Sequence, residues 1–296
     1  MQFAQKILAP IDLSINSELP VAHAIRVADA MGAELTLLHV VDRNAEQRRG
    51  RVVWPSNAVC GESRAVHRLA IPGVPSETIV RYATFANADM LLMTSPNSRG
   101  WARYWKPSVT DKVMQSTPKP VYLANRVSVD KGSNFRCRRI LCVLNLDGTD
   151  GPVIHHAQAL AERFDGALIL LGIVPSVDEG LLLEVLDGLD RPLSTHLAAG
   201  RIRALGKRVS VPYETSVMTG SPYRCISTAA REYNADIVVA LRTTSKWPQA
   251  YPLDIRSLQR RLSCPVISVS GRLPLVRPVE EVAAVEARQF SSVSGF

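Results

Sequence analysis

KILAPID (Lys6–Asp12), near the start of the chain, returns in the second half as RILCVLN (Arg139–Asn145). Each copy is a basic residue, a short apolar run and a polar side chain at its end. An apolar run without alternation reads as a strand covered on both faces, the pattern of a parallel sheet between layers of helix.

The segments after the two copies repeat as well. SELPVAHAIRVADAM from Ser17 and DGPVIHHAQALAERF from Asp150 both have helical spacing, with Ser17 or Asp150 as N-cap candidate and Pro20 or Pro152 in the first turn, where a missing N–H costs little. LTLLHVV (Leu35–Val41) and LILLGIV (Leu168–Val174) then read as second strands. Gly73-x-Pro75 matches Gly220-x-Pro222, glycine for a bend and proline to open a helix. The tripeptide Asn-Ala-Asp recurs at Asn87–Asp89 and Asn234–Asp236, and TPKPVYLA (Thr117–Ala124) matches SCPVISV (Ser263–Val269). Agreement this long and this ordered marks an internal duplication.

Each half therefore reads β-α-β-(variable)-β-α-β-α-β, a doubly wound α/β domain. The expected division is a first domain over 1–126, a polar linker over 127–136, a second domain over 137–272 and a tail over 273–296. The halves differ in the middle. EGLLLEVL and LSTHLAAGRIRALGKR can both be helical in the second, whereas the stretch from Arg43 to Ser63 is polar and weakly periodic, so the corresponding helix is expected to be missing or stunted. In the tail, EEVAAVEARQF has the spacing of one short helix.

The 296 residues suffice for two cores, and 46% apolar with 21% charged residues is the balance of a globular chain. The N-terminus has neither signal- nor transit-peptide character, and no apolar segment approaches the roughly 18–20 residues of a membrane span. A cytoplasmic location is the expectation. Cys60, Cys137, Cys142, Cys225 and Cys264 are scattered without a C-x-x-C pair, which favours small buried hydrophobes over a metal site. A net charge of +8 favours anionic partners, but no motif for specific nucleic-acid binding accompanies it.

These residues resemble the universal stress protein family in its tandem two-domain form. The resemblance is carried by ILAPID-x-S (Ile7–Ser14), GAELTLLHVVD (Gly32–Asp42), the Gly-x-Pro turns, the apolar strand after Ala-Asp, and the closing Cys-Pro-Val strand (Cys264–Val269). It implies two five-stranded parallel sheets of order 3-2-1-4-5, the adenine nucleotide alpha hydrolase-like fold, associating as an intramolecular pseudo-dimer through their last strands.

The resemblance also locates a cleft. ATP-binding members carry Gly-x-x-Gly-x9-Gly-Ser/Thr after the fourth strand, where glycines admit phosphate to the backbone and a helix start favours anions. The aligned loop TSPNSRGWARYWKPS (Thr94–Ser108) holds Thr94, Asn97 and Pro107 at the glycine positions and keeps only Ser108. The second half departs further, with Leu241 and Thr244 at the first two positions. On the adenosine side the resemblance implies Asp12, within Pro10-Ile11-Asp12, as the contact to a base, beside an apolar wall at Val40–Val41; the second half has Asn145 instead of Asp12.

Each candidate has two readings. Asp12 contacts a ligand or braces the turn after it. Ser108-Val109-Thr110-Asp111 caps a helix, which is compatible with binding an anion there. Arg99, Arg103 and Lys106 replace the lost phosphate donors or form a solvated basic face. Trp101 and Trp105 fill a groove or stack on a base. His155-His156 point to different helix faces and make a poor chelate, and His39 reads as a core or sheet-end histidine. No nucleophile–base pair, metal cluster or Walker A motif is evident.

The functional expectation is a non-catalytic stress-response or regulatory module with an altered ligand cleft in the first domain and a mainly structural second domain. The alternatives are binding of ATP or another adenine nucleotide in the first domain, with or without slow hydrolysis, and recruitment of a protein partner or an anionic small ligand by the basic, tryptophan-bearing loop. Further pairing into a homodimer stays open.

Overall fold

The computed structural model describes residues 4–13, 18–41, 54, 66–94, 107–124, 129, 135–174, 194–242 and 253–271. It divides into two compact units, Ala4–Val121 and Tyr122–Gly271.

The first unit runs β1 (Lys6–Pro10), α1 (Glu18–Met31), β2 (Glu34–Val41), β3 (Val66–Pro72), α2 (Pro75–Phe85), β4 (Met90–Thr94) and α3 (Pro107–Ser116). Its strands are parallel in the order β3-β2-β1-β4. Leu91 N–H donates to Pro120 O at 3.0 Å, so the approach to the next strand lines up along β4. That strand, β5 (Val121–Ala124), is grouped with the second unit from Tyr122 onward.

The second unit continues with β6 (Arg139–Leu144), α4 (Gly151–Phe164), β7 (Ala167–Val174), α5 (Thr195–Gly206), β8 (Tyr213–Thr219), α6 (Pro222–Glu232), β9 (Ile237–Arg242), α7 (Ile255–Arg261) and β10 (Val266–Ser270). Its sheet order is β5-β10-β9-β6-β7-β8. Strands β8-β7-β6-β9-β10 are the order 3-2-1-4-5 with every neighbouring pair parallel.

Apolar runs place the sheets at the centre of each core. Ile7, Leu8 and Ala9 of β1 and Ile140, Leu141 and Cys142 of β6 are buried, as are Val238 to Ala240 of β9. The helices cover them with one stripe each: Val21, Ala24, Ile25 and Ala28 on α1, and Val153, Ala157, Leu160 and Ala161 on α4. Each fully buried Val, Leu or Ile contributes about 1.5–3 kcal/mol.

The repeated sequence signals repeat as geometry. Gly73 N–H donates to Val41 O at 3.0 Å and Gly220 N–H to Val174 O at 2.9 Å, with φ of 157° and 136°. Pro75 and Pro222 then open their helices, as the Gly-x-Pro spacing predicts. Asn87 and Asn234 are left-handed at φ 49° and 47°, ending α2 and α6.

Asp150 stands at the N-cap of α4 as expected, but its side chain caps nothing in that helix. Its carboxylate turns back to accept Asn145 N–H at 2.7 Å and Leu146 N–H at 2.9 Å, because the loop leaving β6 offers two amides with no strand partner. Ser17, the residues between β2 and β3 apart from Trp54, the EGLLLEVL segment and the tail lie outside the described residues. Cys137, Cys142, Cys225 and Cys264 are buried free thiols, the small hydrophobes expected of them. Burial pushes the thiols of Cys137, Cys142 and Cys225 up in pKa. No helix among the described residues is long and apolar enough to cross a membrane.

Candidate functional site

The C-terminal ends of β1, β2 and β4 meet in the first unit, because β1 lies between the other two. This is the edge at which open α/β sheets bind ligands. Pro10 closes β1 and is buried, and Ile11 continues the pairing by donating its N–H to Leu38 O at 2.8 Å. Asp12 follows at intermediate exposure, one residue beyond that last hydrogen bond. Val41 ends β2 with intermediate exposure, its carbonyl held by Gly73. Thr94 ends β4, also at intermediate exposure. The register Leu8↔Leu91, carried forward, sets Thr94 beside Ile11.

Sequence reasoning undervalued His39. It is a sheet-end histidine as expected, but its Nδ1 lies 3.0 Å from Ile11 O, directly before Asp12. With Nδ1 protonated, the ring donates to that carbonyl and presents Nε2 as an acceptor. The signal that could have found it is the duplication itself. The strands β1 and β6 pair with β2 and β7 in the same register, which makes Gly172 the counterpart of His39. A half that keeps glycine and a half that keeps histidine at one strand end are doing different things there.

Gly172 shows what the second unit does. A Cβ there would meet Leu146 Cδ1 at 2.8 Å and the Ile202 side chain still closer. Leu146, left-handed at φ 61° and 3% exposed, lays its side chain onto the glycine, under α5. Asp150 holds the Asn145 and Leu146 amides, and Arg201 Nη1 donates to Leu146 O. Burial raises the Asp150 pKa, the two amide hydrogen bonds oppose that, and the nearby Asp147 raises it further. The end of β6 is thus packed shut over β7, and the side-chain Nδ2 of Asn145, counterpart of Asp12, is buried without a hydrogen-bond acceptor.

At the end of β9, Leu241 occupies the place of Thr94 and Arg242 follows it, 7% exposed. Burial alone pulls that guanidinium down to about 10.

Pro10, Ile11, Asp12, Val41 and Thr94 are therefore brought to one edge of one unit. Ser108 is the second residue of α3, which starts at Pro107, so the helix begins one residue before the Ser-x-x-Asp pattern would cap it and Ser108 stands inside its first turn rather than at the N-cap. Asn97, Arg99, Arg103, Lys106, Trp101 and Trp105 lie outside the described residues. His155 and His156 sit on α4, their rings edge to face at 5.7 Å, with His156 Nδ1 on Pro152 O at 2.8 Å. No cluster of metal-ligating side chains occurs among the described residues.

Comparison with known proteins agrees with this layout. The model of the universal stress protein family matches residues 4–57, 60–125 and 136–253. A solved universal stress protein from Archaeoglobus fulgidus DSM 4304 superposes with a TM-score of 0.62 at 16% identity, covering 91% of this chain and 97% of that one. A protein of unknown function from Pseudomonas aeruginosa PAO1 superposes at 0.61 and 15% identity, over 99% of this chain and 98% of its own. At such identities the likeness is one of fold. No curated protein matches the sequence.

Proposed function

The chain belongs to the universal stress protein family, and on that premise we propose that it is a non-catalytic stress-response or regulatory module whose ligand cleft is in the first unit. The second unit serves mainly as structure. The observation that carries this reading is the contrast between His39 and Gly172. Asp12 and Val41 have the same intermediate exposure as their counterparts Asn145 and Val174, so the contrast lies in half-buried His39, tied to Ile11 O, and in half-buried Thr94 against buried Leu241. In the second unit, the place of His39 is filled by Leu146 on Gly172.

Asp12 beside apolar Ile11 and Val41 also supports a second reading, in which the cleft takes ATP or another adenine nucleotide. A carboxylate next to an aliphatic wall suits the amino edge and flat face of a base. Any anion near Thr94 or the start of α3 would be held by side chains or by the free N–H groups of that helix, since three glycines of the family loop are absent.

Mass spectrometry of small molecules released from the purified protein, followed by calorimetric titration with ATP, separates the readings. Saturable ATP binding lost in Asp12→Ala supports the nucleotide reading. No heat with ATP and a different co-purified ligand lost in Asp12→Ala supports an altered cleft. Phosphate release above a no-protein control, abolished by the same substitution, would overturn the non-catalytic reading.

A further inference from the structure

The outer surface of the second unit carries a charge that the first unit lacks. Helices α6 and α7 lie against each other there. The Tyr223 hydroxyl of α6 accepts Asp254 N–H at 2.9 Å, and the Arg261 guanidinium of α7 lies 5.2 Å from the centre of the Tyr223 ring. Each helix buries an apolar stripe and turns its other side to solvent. On α6 that side holds Arg224 and Arg231, both exposed and seven apart, hence on one face. On α7 it holds Arg260 and Arg261, with half-buried Arg256 one turn before Arg260. The two helices carry five arginines, one glutamate and no lysine, which is half of the chain's net charge of +8. Asp254, before α7, turns its carboxylate to the Arg256 and Ser257 N–H groups.

The matching helices of the first unit are α2 and α3. Gly73-x-Pro75 against Gly220-x-Pro222 aligns one pair, and Leu91 N–H on Pro120 O against Val238 N–H on Pro265 O aligns the other. These helices are balanced, with Glu77 and Asp111 against Arg81 and Lys112. By that alignment Glu77 stands where Arg224 does and Asp111 where Arg256 does. Helix stability does not explain the reversal. Arg224 and Arg256 lie in the first turns of α6 and α7, where a cation opposes the helix dipole. Arg256 and Arg260, one turn apart, repel each other. The fold forms the corresponding helices with either set of charges, so the arginines answer to something outside it.

We infer that this face of α6 and α7 docks an acidic segment of a partner protein, its carboxylates meeting the guanidinium groups of Arg224, Arg260 and Arg261. A guanidinium presents paired N–H donors in the plane that a carboxylate needs. Protein interfaces are rich in arginine and tyrosine and poor in lysine, the composition of this face. Tyr223 already holds Arg261 in place, which lowers the ordering cost of binding. The face gives the second unit a task that its filled strand ends do not, and it uses none of the residues proposed for the cleft of the first.

The test is fluorescence anisotropy of a fluorescein-labelled deca-glutamate peptide titrated with the full chain at about 50 mM salt, where charges are weakly screened. Saturable binding is expected, weakened at least about tenfold in Arg224→Gln with Arg260→Gln and Arg261→Gln. Lys112→Gln with Lys207→Gln and Arg208→Gln removes the same charge from exposed positions elsewhere and is expected to bind within about twofold of the parent. Should the first triple variant fail to fold, Arg224→Gln alone, exposed on α6, is expected to weaken binding about threefold. An oligothymidylate of similar charge is expected to bind more weakly than the peptide. No saturable binding, equal loss in the two triple variants, or tighter binding of the oligonucleotide would overturn the proposal, the last in favour of a nucleic acid.

Discussion

The carboxylate of Asp89 accepts the backbone N–H of Lys6 at 2.9 Å, and Asp236 holds Arg139 in the same way at 2.9 Å. Each aspartate also takes the preceding amide, Gln5 at 2.8 Å or Arg138 at 2.9 Å, and returns its own N–H to the carbonyl of Lys6 or Arg139. The repeated Asn-Ala-Asp is thus a clasp that starts β1 against β4 and β6 against β9. Asp89→Ala and Asp236→Ala should each destabilise by about 1–3 kcal/mol, the range for amides left without a charged acceptor. Urea unfolding of the two variants checks this, and loss in only one would mean the two clasps are not equivalent.

The asparagine of the same tripeptide has a different task. Asn87 and Asn234 turn the chain in the left-handed region after α2 and α6, closing on Thr84 O and Arg231 O at 3.1 Å. Glycine at either position should be close to neutral. Valine should cost about 1–2 kcal/mol, because a β-branched side chain crowds the left-handed backbone. Thermal melts of Asn87→Gly and Asn87→Val give the comparison.

Gly172→Val should destabilise by about 1–3 kcal/mol through overpacking against Leu146 and Ile202. The same position in the first unit is His39, so His39→Gly is expected to fold, leaving Ile11 O without its imidazole partner. If the Asp12 edge binds the ligand, His39→Gly should weaken that binding while the clasp at Asp89 stays intact. Equal affinity in His39→Gly would remove the histidine from the site.

Acid should destabilise the first unit through His23. Burial, and then the charge of Arg26, pull its pKa from 6.5 down to about 4. The folded state therefore binds the proton more weakly than the unfolded chain. The stabilising contribution is complete above the unfolded value and is lost as pH falls from about 6.5 towards 4, up to roughly 3 kcal/mol at about 1.4 kcal/mol per unit. His156 on α4 is lowered mainly by burial and acts in the same direction. Urea midpoints measured between about pH 7 and 4.5, the window set by that linkage, should fall more steeply in the parent than in His23→Gln. Parallel curves would place the acid sensitivity elsewhere.

The duplicated, doubly wound architecture was legible because covered parallel strands are unbroken apolar runs and the two copies keep one order of signals. Asp12, Val41 and Thr94 were legible as strand-end residues for the same reason. The proposal of a ligand cleft in the first half also came from the sequence, through Asp12 against Asn145; how the strand end of the second half is filled did not. That depends on Leu146 adopting φ 61° and lying on Gly172, and on Asp150 reaching back to two loop amides instead of capping its helix. A side chain's direction at a strand end is set by what packs beside it, and those neighbours come from α5 and β7, distant in sequence. The sequence alone determined the fold and the edge at which to look; tertiary packing decided how each strand end is filled, because filling is a property of contacts rather than of pattern.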